Sequence, residues 1–222
     1  AADRWGRMEL LAHAISKLLD TLSPPSCAAC DAPSATAFCG RCGAPEPLTG
    51  PQTVDGLPLL VASNYAPPLS TAITRFKYAD RPELARTLAA LLVPGLRRLG
   101  LPADTKLVPV PLHAGRLATR GYNQAALLAQ ELARQSPWRC EPRFLLRTRA
   151  TERQVGKARE ERLTNASGAF ALRRPGPARV LLVDDVVTTG STVRACAQAL
   201  AEGGAKLVGV VALARALTEP AD

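Results

Sequence analysis

Three groups of residues in this 222-residue chain have types and spacings that could do chemistry. The first lies in the run VLLVDDVVTTGST, where Asp184 and Asp185 are followed closely by Thr188, Thr189, Gly190, Ser191 and Thr192. A turn that feeds a helix presents unpaired backbone N–H groups and the positive end of the helix dipole, which together bind phosphate. Threonine and serine hydroxyls add donors, and Gly190 lets the backbone approach an anion closely. Two carboxylates beside such a turn suit sugar hydroxyls, directly or through a hard Mg²⁺ ion. No Lys follows Gly190 and no GxxxxGK spacing is present, which excludes a nucleoside-triphosphate P-loop. An ordinary strand-to-helix turn, with Thr and Ser capping the helix, is the alternative.

The second group is Cys27-Ala-Ala-Cys30 and, eight residues later, Cys39-Gly-Arg-Cys42-Gly43. Four thiolates in two such turns can close a tetrahedral zinc site, and with every ligand from the protein the site would be structural. Disulfides are the alternative, disfavoured in a reducing compartment. Cys140 and Cys196 stand alone and read as packing residues. The third group is Arg116, Arg120, Asn123 and Gln124 in HAGRLATRGYNQ, just after the apolar stretch KLVPVP. Two arginine forks at a strand-to-helix turn could clamp a pyrophosphate, or could pair with helix carboxylates instead.

These groups need elements to hold them. Val180 to Val183 form a short apolar run suited to a strand buried on both faces, and Val193, Cys196, Ala197 and Leu200 continue at helical spacing until Gly203-Gly204. Residues 206–214 read as another buried strand, and residues 59–65 as an edge strand after a Pro/Gly-rich linker over 45–58. Helices are predicted from Leu69 to Tyr78, over 82–99 and over 122–135, with further strands near 106–111, 144–146 and 168–172. Strands alternating with helices predict an α/β fold with a parallel sheet flanked by helices. Residues 1–50 are expected to form a small segment carrying an amphipathic helix over 3–22 and the cysteine turns, and residues 51–222 the main domain. The long, polar and basic stretch from Arg147 to Phe170 reads as a flap over the site, mobile until a ligand orders it.

The net charge is +9, and from Arg139 to Arg179 eleven Lys and Arg face four Glu. Such a cluster draws anions, among them pyrophosphate, nucleotides and nucleic acid. No apolar run reaches the ~20 residues that span a bilayer, and the first residues do not form a signal peptide, so a cytoplasmic protein is expected.

The string VLLVDDVVTTGST resembles the 5-phosphoribosyl-1-pyrophosphate (PRPP) loop of type I phosphoribosyltransferases, in which the acidic pair meets the ribose hydroxyls and the TTGST turn holds the 5′-phosphate. A longer series of motifs resembles the ComF family, phosphoribosyltransferase-like proteins linked to natural competence and DNA uptake. It comprises the four-cysteine knuckle, then FKY, PVPL with RGYNQ, a T…Q…R…N…GAF series, and VDDVVTTGST. The resemblance spans nearly the whole chain and falls on Phe76, Lys77, Tyr78, Arg116, Arg120, Gly121, Asn123, Gln124, Thr151, Gln154, Arg162 and Asn165.

The resemblance implies a phosphoribosyltransferase-like domain with an N-terminal zinc knuckle held by Cys27, Cys30, Cys39 and Cys42. Asp184, Asp185, Arg116 and Arg120 would be the catalytic residues. Thr188, Thr189, Gly190, Ser191, Thr192, Lys77, Asn123, Gln124, Gln154 and Arg162 would bind substrate. The implied reaction is phosphoribosyl transfer from PRPP with Mg²⁺, through an oxocarbenium-like state governed by positioning and electrostatics. The competing function keeps the pocket and drops turnover, leaving a nucleotide-binding or single-stranded DNA-binding component of a competence complex. In that setting the knuckle and first helix could dock a helicase-like partner. The sequence interleaves no aromatic platform with its basic residues: Trp138, Phe144 and Phe170 are scattered.

Overall fold

Val180, Leu181, Leu182 and Val183 are wholly buried, and the main sheet is built on both sides of them. In the computed structural model, residues 25–148 and 168–216 are described. The helix expected over 3–22 lies outside them, as do Thr151, Gln154, Arg162 and Asn165 of the expected flap. The chain divides into two compact units, residues 1–44 and residues 45–222.

The larger unit runs β1 (Gln52–Val54), β2 (Leu57–Asn64), α1 (Leu69–Tyr78), α2 (Leu84–Ala90), α3 (Val93–Leu96), β3 (Lys106–Pro109), α4 (Ala114–Arg120) and α5 (Gln124–Ala133). It continues with β4 (Arg139–Cys140), β5 (Leu145–Arg147), β6 (Phe170–Leu172), β7 (Arg179–Val183), β8 (Val186–Val187), α6 (Ser191–Glu202) and β9 (Lys206–Arg215). The main sheet has the order β1-β2-β9-β7-β3-β4, with β8 also on β9, while β5 and β6 form a separate antiparallel pair. All pairs in the main sheet are parallel except β1 with β2. The α/β sheet flanked by helices is therefore as the sequence predicts. β9 owes its central place to a continuous buried run from Val210 to Ala214, the composition of a strand covered on both faces.

Five local expectations change. Residues 45–58 are not simply a linker, because Asp55 and Gly56 take φ of 49° and 75° between β1 and β2. Two left-handed residues in a two-residue loop make a tight primed hairpin, which Asp-Gly favours. β1 then takes the sheet edge, and β2, expected there, is interior. The helix predicted over 82–99 is two short helices. Pro94 has no N–H to give the preceding turn, and a side chain at Gly95 would run into Leu60, 2.3 Å from its Cδ1. The strand-to-helix turn after β3 is longer than a turn and contains α4, capped by the His113 ring, which accepts from the Gly115 N–H at 3.2 Å. Finally, Leu145 and Leu146 pair with β6 rather than joining the main sheet.

Leu182 is fully buried in the middle of β7. Leu182→Ala should lower unfolding stability by ~2–5 kcal/mol through lost burial and the cavity left behind. Urea unfolding at unchanged slope would measure it, and a loss below ~1 kcal/mol would mean that the strand centre is less tightly packed than described.

Candidate functional site

β7 and β8 run along β9 in one register, Val183 opposite Val211 and Val186 opposite Ala214. Asp184 and Asp185 occupy the gap between them. On the β9 side their backbone stays tied, since Asp184 N–H donates to Val211 O at 2.9 Å and Leu213 N–H donates to Asp185 O at 3.0 Å. On the other side β3 ends, and its last tie is Val110 N–H to Val183 O at 2.8 Å. The carboxylates therefore sit at the carboxyl end of a parallel sheet where one neighbouring strand has stopped, the usual place for a ligand crevice.

The chain then turns through Thr188 and Thr189 to Gly190 and enters α6. Gly190 is the residue before the helix, with φ of 76°, and no side chain caps the helix start. Thr188 and Thr189 are exposed, and the Thr189 hydroxyl donates to Ser191 Oγ at 3.3 Å. Among the described residues no side chain accepts from the first N–H groups of α6, which leaves them to an outside acceptor.

The two carboxylates are electrostatically unequal. Lys77 Nζ lies 2.8 Å from Asp185 Oδ1, with both side chains mostly buried. Among the described residues Asp184 has no such ion pair; its Oδ1 accepts from the Asp185 N–H at 2.8 Å. Burial, followed by the charge of Asp185, pushes the Asp184 carboxyl up to about 7, while that N–H, Lys77 and Arg147 pull the other way.

The RGYNQ and FKY motifs act together to place Lys77. Tyr122 Oη donates to Phe76 O at 2.6 Å, and the buried Gln124 side chain donates to the same carbonyl at 3.3 Å. The rings of Phe76 and Tyr122 lie 6.0 Å apart. Asn123 caps α5 by accepting from the Ala126 N–H at 3.3 Å, and its Nδ2 donates to Val110 O at 3.0 Å, tying off the end of β3. Asn123 and Gln124 thus hold the frame of the site. Arg120 turns inward to that frame, donating to Gln124 Oε1 at 2.9 Å with its guanidinium 4.8 Å above the Tyr78 ring. Arg116 stays exposed on α4. The two arginines do not form a matched pair of forks, because one is spent on the frame.

Two features went unseen in the sequence. Arg147, at the end of β5, stacks over Phe170 at 5.4 Å. Burial and the nearby Arg116 lower its affinity for its proton, and Asp184 is close enough to oppose them. Only the β5–β6 pairing, which the sequence does not show, reveals that place. Arg194 of α6 reaches Asp55 Oδ1 at 2.5 Å and Thr189 O at 3.2 Å; the Asp-Gly turn signal could have suggested the hairpin, but not this contact.

In the small unit, the sulfurs of Cys27, Cys30, Cys39 and Cys42 all lie within 4.8 Å of one another. The two cysteine turns are matched, with Asp31 N–H donating to Cys27 O at 2.9 Å and Gly43 N–H to Cys39 O at 3.0 Å. Each turn ends in a left-handed residue, Asp31 at φ 62° and Gly43 at φ 72°. The sulfurs of Cys30 and Cys39 are 3.7 Å apart. That is far beyond the ~2.05 Å of a disulfide and close to the ~3.8 Å edge of a tetrahedron with Zn–S of ~2.3 Å. The thiols also divide in acidity. Burial disfavours the Cys27 thiolate, but backbone N–H groups of Cys39, Ala29 and Cys30 outweigh it and bring the thiol down to about 6. Its neighbour Cys30 and then burial push Cys42 up to about 12. Crowded thiols can all ionise together only around a cation, and this cluster could hold zinc.

Elemental analysis of the purified chain should find about one zinc per chain. Chelation, or Cys39→Ser, should speed hydrogen exchange across residues 25–44 and leave the β7–α6 region unchanged; metal-free protein with an unaltered small unit would refute a zinc site. The raised Asp184 carboxyl makes a separate prediction. Its affinity for a proton is higher folded than unfolded, so this group's contribution to stability is greatest below about pH 4 and is lost as pH rises through about 7. Asp184→Asn should therefore be more stable than the parent at pH 8 and similar near pH 4 in urea unfolding. A constant difference across that range would mean that Asp184 titrates normally.

Comparisons with known proteins show the family. Residues 117–221 match the family model for the phosphoribosyl transferase domain. The DNA utilization protein YhgH of Salmonella typhi is 35% identical over 225 residues, covering 98% of this chain and 93% of that protein. The protein of that name from Escherichia coli K12 is 39% identical over 185 residues, 81% of this chain and 78% of that one. Competence protein F of Haemophilus influenzae is 37% identical over 189 residues, 80% of this chain and 78% of its own length. With relatives of this name and coverage, a phosphoribosyltransferase domain and a four-cysteine cluster near the N-terminus, the chain belongs to the ComF family.

Proposed function

We propose that the chain binds PRPP, or a related ribose 5-phosphate compound, together with Mg²⁺, and acts as a phosphoribosyltransferase in DNA uptake. The observation that carries the reading is the uncapped start of α6, entered through a left-handed Gly190, directly after a half-buried acidic pair. The 5′-phosphate would take the open N–H groups and the hydroxyls of Thr188 to Thr192. The ribose hydroxyls would donate to Asp184 and Asp185, the latter shared with Lys77. Arg147 and Arg116 supply positive charge for the pyrophosphate, and Mg²⁺, when bound with it, would neutralise the leaving group. In the transfer, the C1–O bond to pyrophosphate breaks with its electron pair, and an acceptor's lone pair forms the new bond to C1. The role in DNA uptake is supported by relatives named for DNA utilization and competence.

A second reading, binding of a nucleotide or single-stranded DNA without turnover, has one observation in its favour. Tyr78 is 64% exposed with Arg120 stacked on it. An aromatic ring paired with an arginine is the kind of platform on which bases stack, and the sequence did not reveal it.

Calorimetric titration of PRPP, ribose 5-phosphate, inorganic phosphate and single-stranded DNA, each with and without Mg²⁺, separates the two. The transferase reading expects Mg²⁺-dependent PRPP binding and pyrophosphate release once an acceptor is supplied. Salt-sensitive DNA binding without PRPP binding would replace it with the second. Asp184→Asn with Asp185→Asn should weaken ribose 5-phosphate by ~1.5–3 kcal/mol per charge-assisted hydrogen bond lost while leaving inorganic phosphate unaffected. Thr189→Val should weaken both by less, since the backbone donors stay. Undiminished ribose 5-phosphate binding by the double variant would reduce the acidic pair to a polar strand end.

A further inference from the structure

We infer that Asp55, in the β1–β2 turn, and Arg194, on α6, are positioning residues that set the shape of the phosphate-binding turn. The inference rests on reading Thr188 to Thr192 as that turn, and deepens it.

Arg194 lies one helical turn into α6, and helix side chains lean back toward the N-terminus. Its guanidinium spans two acceptors, Asp55 Oδ1 at 2.5 Å and the backbone oxygen of Thr189 at 3.2 Å. Its own N–H donates to Gly190 O at 2.9 Å. One residue thus holds the carbonyls of Thr189 and Gly190 from two directions. Holding these carbonyls fixes the peptide planes on either side of Gly190, and so the directions of the N–H groups that enter the helix. A single exposed ion pair would contribute little, but a planar fork spanning two acceptors defines a geometry.

The hairpin also bears directly on Gly190. A Cβ built there would lie 2.8 Å from Val54 Cγ2 and 2.9 Å from Asp55 Oδ2. Glycine is needed at 190 for its φ of 76° and equally for this contact. The hairpin is itself strapped from the opposite side. Arg215, at the end of β9, donates to Gln52 Oε1 at 3.2 Å and to Thr53 O at 3.1 Å. The central strand therefore anchors β1, β1 presents Asp55, and Asp55 aims Arg194 at the turn.

Asp55→Asn is a clean probe, because Asn-Gly forms the same primed hairpin while removing the charge. Arg194→Lys keeps the charge but replaces the fork with a single ammonium, which cannot span both acceptors. In the ligand-free chain each variant should speed hydrogen exchange at position 194, whose amide closes the first turn of α6 on Gly190 O, by ~10-fold, with residues 198–201 and β7 unchanged. Affinities for inorganic phosphate and for ribose 5-phosphate should fall by the same factor, ~3–10-fold, unlike the Asp184/Asp185 variants, which touch only the sugar. The double variant should be no worse than the weaker single one, because both break the same link. Unchanged exchange at position 194 in both variants overturns the inference. So does faster exchange along the whole of α6, which would make Arg194 a general helix support. If the parent binds neither phosphate nor ribose 5-phosphate while the exchange response stays confined to the turn, the clamp stands and the phosphate reading fails.

Discussion

The site depends on a mismatch in strand length. β9 runs on to Arg215, whereas β3 ends at Pro109, opposite Val183. Past that point, among the described residues, the backbone of Asp184 and Asp185 is tied to other strands on the β9 side only. A longer β3 would pair with the acidic segment and fill the space a ligand needs. The tie from Asn123 Nδ2 to Val110 O closes off the first backbone oxygen beyond β3, which is how the strand can end there without an unsatisfied buried group.

A second constraint follows from placing two carboxylates side by side in a half-buried position. Both cannot ionise easily without nearby cations. The fold meets this asymmetrically, with Lys77 on Asp185 and the Asp184 carboxyl left with a raised affinity for its proton. Lys77 reaches Asp185 because the carbonyl of Phe76 is held by Tyr122 and Gln124 at the end of α1. Residues that look like a ligand-binding cluster in sequence therefore act first as the frame that aims one lysine.

The small unit is organised differently. Its described residues bury little besides Cys27, Ala28, Ala29 and Phe38, too few to hold a fold by packing. Two matched cysteine turns take the place of a core, and a closed four-thiolate site would supply the stabilisation that burial does not.

Much of this was legible in the chain itself. The buried run 180–183, the hydroxyl turn, the stop at Gly203 and the cysteine spacing are local patterns, written by burial period, turn chemistry and ligand reach over a few residues. They sufficed for an α/β fold, an acidic pair at a strand end and a four-thiol cluster. What the sequence left open involves distance along the chain. Lys77 meets Asp185 across 108 positions, and Asp55 meets Arg194 across 139. Arg120, expected to face a ligand, turned to Tyr78 and Gln124, because a guanidinium takes whichever acceptor and ring the packed helices bring within reach. Local residue types set what the acidic pair and the turn can bond to. Only the order of strands in the sheet, and the point at which β3 stops, decided which charges reach them.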